Sequence, residues 1–153
     1  MKARRSPSAV AYLEKKIDLS GRNGANKVRS NISKMPTIMN EKITEFRAYR
    51  AKMNEKILAA DNKVMKRIYN IDTNTYMEGA LSTKVKEMMG LVSSMVLRCD
   101  DCIKYHLEKC QEQGVTTEEL FEIFAVANLV GGTIVIPHTR RAVEYWEALN
   151  EEV

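Results

Sequence analysis

Residues 82–110 read STKVKEMMGLVSSMVLRCDDCIKYHLEKC, and this stretch decides the fold. Ser82 is a plausible N-cap. Val85, Met88, Met89, Val92, Met95 and Val96 then recur mostly at helical steps, which predicts a strongly apolar helix. Cys99 opens a second helix that runs through His106 and Cys110 to a stop at Gly114. Within this pair lie Glu87, Cys99, Cys102 and His106, spaced E-x11-C-x2-C-x3-H. A carboxylate inside an otherwise apolar helix is costly unless something pairs it or it turns to water.

Working outward, Thr116-Thr117-Glu118-Glu119 fits a capping box. The helix it opens is expected to pack through Leu120, Phe121, Phe124 and Ala127, and Gly131-Gly132 breaks or tightens it. Ile134 to Leu149 is helical in pattern, with Pro137 tolerated near its first turn. Ile134-Val135-Ile136 alone could form a short strand, but a lone strand has nothing to pair with. Upstream, Met39, Ile43, Phe46, Met53, Ile57, Ala60, Val64 and Ile68 form the stripe of one amphipathic helix, or of two helices in line. The polar, turn-rich run from Asn70 to Gly79 is expected to end that region. Residues 1–36 are weakly periodic and stop at Pro36. The reading is an all-α chain: a helical domain over 37–153, preceded by a basic, poorly ordered extension over 1–36.

The chain has 153 residues, 44% apolar and 29% charged, enough for one domain with a real core. Its net charge of +4 is uneven, because residues 1–34 carry +7 and the remainder −3. A basic tail alone does not make a nucleic-acid contact, and no aromatic or motif support accompanies it. The longest uncharged stretch, Ile123 to Thr139, is too short for a bilayer and contains Gly131-Gly132 and Pro137. The first thirty residues lack an apolar core segment, so no secretory signal is expected. Three cysteines, two of them in CxxC, suit a reactive pair in a reducing cytoplasm better than a secreted disulfide scaffold.

On a helix Cys99, Cys102 and His106 fall at i, i+3 and i+7 and share a face. Cys99 would sit in the first turn, where free N–H groups and the helix dipole favour a thiolate, the reactive form. His106 follows Cys102 by one turn, and Glu87 is the natural carboxylate to hold its imidazole. Each residue also has a plainer reading. Glu87 could face water, His106 could be an ordinary core or surface histidine, and the cysteines could be two small buried hydrophobes. Cys110 continues the stripe with nothing to pair it and reads as structural. A metal site of the form C-x2-C-x3-H-x3-C is excluded by length. Cys99 and Cys110 would stand about 16 Å apart on one helix, whereas zinc holds its sulfur ligands at about 2.3 Å. Covalent haem attachment needs His directly after the second cysteine, and Ile103 is there. No metal or cofactor is expected.

The segment Leu81 to Leu149 resembles the AhpD-like alkylhydroperoxidase core of the carboxymuconolactone decarboxylase superfamily. The matching residues are Ser82-Thr83-Lys84-Val85-Lys86-Glu87, Cys99-Asp100-Asp101-Cys102, Tyr105-His106, Gly114, Thr116-Thr117-Glu118-Glu119-Leu120 and Gly131-Gly132. The resemblance implies an AhpD-like helical bundle that assembles as trimers or hexamers and a thiol peroxidase of the peroxiredoxin type. It implies Glu87 and His106 as proton relay, Cys102 as peroxidatic thiol and Cys99 as resolving thiol. A peroxide would be the substrate and an external dithiol the reductant. Dipole logic instead makes Cys99 the more acidic thiol, so both orders of roles stand. Some relatives have a histidine between the cysteines, whereas Asp100-Asp101 here would raise the thiol pKa values. Two other functions belong to the comparison. One is the superfamily's lactone decarboxylation, whose enzymes generally lack the cysteine pair, and the other is a non-catalytic redox-sensing assembly.

Overall fold

A computed structural model of the chain describes the backbone of residues 22–151 and the side chains of residues 41–151. The elements are α1 (Arg22–Ala59), α2 (Lys63–Thr75), α3 (Thr83–Val96), α4 (Asp100–Glu112), α5 (Thr117–Gly131), a 3-10 turn (Thr133–Val135) and α6 (Ile136–Glu151). No strand occurs among the described residues, and the all-α architecture is as expected. The part of the expected basic extension up to residue 21 lies outside the described residues. The stop expected at Pro36 does not occur, since α1 begins at Arg22 and continues through it. A proline removes one backbone donor, and a long helix held by bonds on either side can continue past that loss. The chain divides into two units at the bond from Ile38 to Met39, and the unit Met39–Val153 holds all four candidate site residues.

Local chemistry sets the element ends. Asp61 takes a left-handed φ of 52° between α1 and α2. Asn62 then caps α2 by accepting from the Val64 and Met65 N–H groups at 3.0 and 3.1 Å. The stripe that allowed one helix or two therefore belongs to two. Helix α2 also runs to Thr75, past the end expected at Asn70. Thr73, Asn74 and Thr75 donate back to the carbonyls of Tyr69, Asn70 and Ile71, so the polar run is carried on the helix itself. Ser82 caps α3 through the Val85 N–H at 3.3 Å. At α5 the Thr116 hydroxyl accepts from Glu119 N–H at 3.2 Å, and the Glu119 carboxylate accepts from Thr116 N–H at 2.8 Å. Gly114 and Gly132 follow α4 and α5 at φ of 68° and 76°, a region open to glycine. Ile134 and Val135 form the 3-10 turn that leads into α6, not a strand.

Helix α3 packs on both α4 and α5, and α4 packs on α6. Their shared core holds Leu91 and Met95 from α3, Leu107 and Cys110 from α4, Leu120, Phe124 and Ala127 from α5, and Trp146 and Leu149 from α6. Ile43 of α1 joins it, fully buried. Each buried leucine contributes about 1.5–3 kcal/mol through area removed from water. Phe121, expected in this core, is exposed and touches only its surface, with its ring 5.9 Å from that of Phe124. The inward face of α5 is fixed by Leu120, Ile123, Phe124 and Ala127, and Phe121 sits beside that stripe. Lys84 joins two helix starts, reaching the Glu119 carboxylate at 2.8 Å and the Gly114 carbonyl at 3.2 Å. Among the described residues no helix is long and apolar enough to cross a membrane.

Candidate active site

Helices α3 and α4 lie against each other, and their contact face carries two buried polar side chains, Glu87 and His106. The His106 Nδ1–H donates to Glu87 Oε2 at 2.7 Å. The glutamate that burial statistics would turn to water is therefore inside and paired. With Nδ1 committed to the carboxylate, the neutral ring presents Nε2 as its proton acceptor. Gly90, one turn after Glu87, makes the room. A Cβ there would stand 2.5 Å from His106 Cε1, 2.8 Å from Nδ1 and 2.8 Å from the Tyr76 hydroxyl. Tyr76 and Tyr105 flank the imidazole with ring centroids at 5.3 and 5.2 Å. Sequence reading missed both Gly90 and Tyr76. The signal for Gly90 was present, since a glycine inside a helix costs about 0.5–1 kcal/mol against alanine and has to be repaid by a close approach.

Cys99 is the N-cap of α4, one residue before the first-turn position expected for it. Its Sγ accepts from the Cys102 N–H at 3.4 Å, and the two sulfurs are joined as a disulfide with Cα atoms 5.3 Å apart. Arg98 turns the chain from α3 into this cap at a φ of 59°. Both sulfurs thus sit at the positive end of the α4 dipole. Cys102 and His106 line a cleft of about 310 Å³, walled by Phe46, Tyr49 and Arg50 of α1, Asp72 of α2 and Tyr105 of α4. The Arg50 guanidinium lies 3.9 Å above the Tyr105 ring. Cys99 does not line the cleft.

The two aspartates between the cysteines do not stand as bare charges. Asp100 Oδ1 accepts from His138 Nδ1–H at 2.7 Å and from Arg141 Nη2 at 3.1 Å, while Asp101 meets Lys104 Nζ at 3.2 Å. Partial burial alone would raise the Asp100 carboxyl, but the hydrogen bonds from His138 and Arg141 outweigh it and hold the group below its ordinary value. Each of the two acids that the sequence sets between the thiols therefore has a basic partner, Arg141 for Asp100 and Lys104 for Asp101. The partners of Asp100 lie 38 and 41 positions downstream, and no local pattern announces them. Cys110 is buried, and burial first, then the Glu87 charge, pushes its thiol up to about 12. Among the described residues no three His, Cys, Asp or Glu side chains converge as a metal site requires.

A buried Glu–His pair beside a Cys-Asp-Asp-Cys turn, on stacked helices, defines an AhpD-like core. The chain belongs to the carboxymuconolactone decarboxylase family, whose model matches residues 62–145. A Thermotoga maritima crystal structure is 50% identical, with a TM-score of 0.69 over 71% of this chain and 95% of that one. In a second crystal structure with a TM-score of 0.68, the Thermotoga protein is described as a carboxymuconolactone decarboxylase family protein with a suggested part in an antioxidative response. A carboxymuconolactone decarboxylase family protein of Legionella pneumophila, 24% identical, has a TM-score of 0.62 over 72% of this chain and 96% of its own, and shows the fold alone. An uncharacterized protein of Cupriavidus necator is 30% identical over 73 residues, and the match spans 48% of this chain and 65% of that relative's length.

Proposed function

We propose that this protein is a thiol-dependent peroxidase, with Cys102 as peroxidatic thiol, Cys99 as resolving thiol and Glu87–His106 as the proton relay. The observation that carries the reading is the buried imidazole, held by Glu87 at 2.7 Å and sharing a cleft with Cys102. In the reduced protein His106 Nε2 takes the Cys102 proton. The thiolate attacks the terminal oxygen of a hydroperoxide, the O–O bond breaks, and Cys102 becomes a sulfenic acid. The departing alkoxide takes the proton back from the imidazolium and leaves as an alcohol. The Cys99 thiol then condenses with the sulfenic acid, releasing water and forming the disulfide, and an external dithiol returns both sulfurs to thiols by exchange. The placement of Cys102 in the cleft, with Cys99 outside it, favours this order of roles over the reverse.

The test uses reduced protein and one equivalent of an organic hydroperoxide, read by mass spectrometry. The expected products are a Cys99–Cys102 disulfide in the wild type and a sulfenic acid on Cys102 in Cys99→Ser. Glu87→Gln should slow disulfide formation at neutral pH about tenfold or more, in the range general-base assistance supplies. No disulfide from the wild type would end the reading. A sulfenic acid trapped on Cys99 in Cys102→Ser, and none on Cys102 in Cys99→Ser, would reverse the roles.

A further inference from the structure

Behind the cysteine pair lies a second polar cluster that the proton relay does not use. Asp100, between the two cysteines, reaches across to the first turns of α6. His138 Nδ1–H donates to its Oδ1 at 2.7 Å, and Arg141 approaches the same oxygen with Nη2 at 3.1 Å and Nε at 3.4 Å. Arg141 Nη2 also stands 2.8 Å from His138 Nδ1, a close approach of two donors that share the Asp100 oxygen and not a third hydrogen bond. With Nδ1 protonated, both ring and guanidinium donate to the carboxylate. We infer that Arg141 and His138 are positioning residues for the thiol chemistry: both hold Asp100 toward α6 and Arg141 balances its charge, so that an acid inside the CxxC turn does not suppress thiolate formation. This rests on the peroxidase reading only for its purpose, since the effect on the thiols exists with or without a peroxide.

The electrostatics decide the size of the effect. An unopposed carboxylate one residue from Cys99 disfavours a second negative charge at the α4 N-terminus and competes for the same dipole. The Asp100 side chain is about half exposed, at 45%, so water screens much of this and the expected influence is modest. The other charged or titratable groups around the pair are Arg98, which directly precedes Cys99, Asp101 and Lys104 on α4, which pair with each other, His106, and Arg50 and Asp72 across the cleft. None of these is bonded to Asp100 in the structure, although Lys104, one turn on from Asp100, lines the same cavity as His138 and Arg141.

The experiment is the pH dependence of iodoacetamide alkylation of the reduced protein, with no peroxide present. Arg141→Gln should move the midpoint of the more reactive thiol up by about half a unit and slow alkylation near pH 7 about threefold. Arg141→Lys should stay near the wild type. In Asp100→Asn/Arg141→Gln the midpoint should return to or below the wild-type value, because the charge that Arg141 opposes is gone. His138→Gln should move the midpoint in the same direction as Arg141→Gln, by less. An unshifted midpoint in Arg141→Gln, or a shift that persists in the double variant, would overturn the inference. A purely structural tie would not be rescued by removing its own acceptor. If these thiols alkylate as expected yet form no disulfide with hydroperoxide, the peroxidase reading fails while this one stands.

Discussion

Gly90 shows how much one missing methyl group carries. It lets the His106 imidazole lie against the α3 backbone, where Glu87 can reach it. Gly90→Ala places a Cβ inside the contact distance of two imidazole atoms, and overpacking of this kind costs about 1–3 kcal/mol. The ring has to move, and the bond to Glu87 goes with it. In the variant, nitrogen NMR of His106 should lose the single Nδ1–H tautomer, and peroxide-driven disulfide formation should fall at least about tenfold. Retention of both would mean that the ring is placed by something other than this glycine. Glu87, Cys99, Cys102 and His106 were legible in the sequence because their spacing is local to two adjacent helices. Gly90 and Tyr76 were less so, since their part depends on the depth of contact between α3 and α4 and on the end of α2.

At the scale of the element, cap chemistry was the most legible feature. Thr116 and Glu119 form the reciprocal capping box that the four-residue pattern announces, because both bonds are made within one turn. Thr116→Ala removes the acceptor for Glu119 N–H and should cost about 1 kcal/mol. For a chain of this length that lowers the melting temperature by roughly 2–4 °C, measurable by calorimetry. An unchanged melting temperature would show that the Lys84 tie to Glu119 suffices to hold this helix start. Two element ends were misread, each for its own physical reason. Polar side chains at Thr73, Asn74 and Thr75 looked like a loop, yet each satisfies itself on the carbonyl four residues back. Pro36 looked like a stop, yet its lost donor leaves the neighbouring helix bonds in place.

At the scale of the whole molecule, apolar surface remains on the outside. Val85 and Met89 of α3 and Val126 of α5 line an open groove of about 620 Å³, and Phe121, Leu129 and Val130 of α5 are exposed as well. Exposed apolar side chains gathered on neighbouring helices mark an interaction face, so we propose that the chain uses this surface to form the trimer or hexamer that the resemblance implies. Light scattering on the full chain should return a mass of three or six subunits, and Val126→Glu should reduce it. A monomer at micromolar concentration would refute the assembly. Phe121 illustrates why such surface is hard to read from a sequence. Its helical position lies next to the inward stripe, and hydrophobicity alone cannot separate a side chain that faces the core from one that faces a neighbour.

The chain contains a single tryptophan, Trp146, and it sits at the junction of α5 and α6, 3% exposed, with its indole N–H donating to Thr117 Oγ1 at 3.1 Å. That hydroxyl belongs to the first residue of α5, while the ring belongs to the third turn of α6. All of the protein's tryptophan light therefore comes from one seam of the core. Its colour and intensity report whether the closing helix is seated on the bundle, with no label attached and no second tryptophan to subtract.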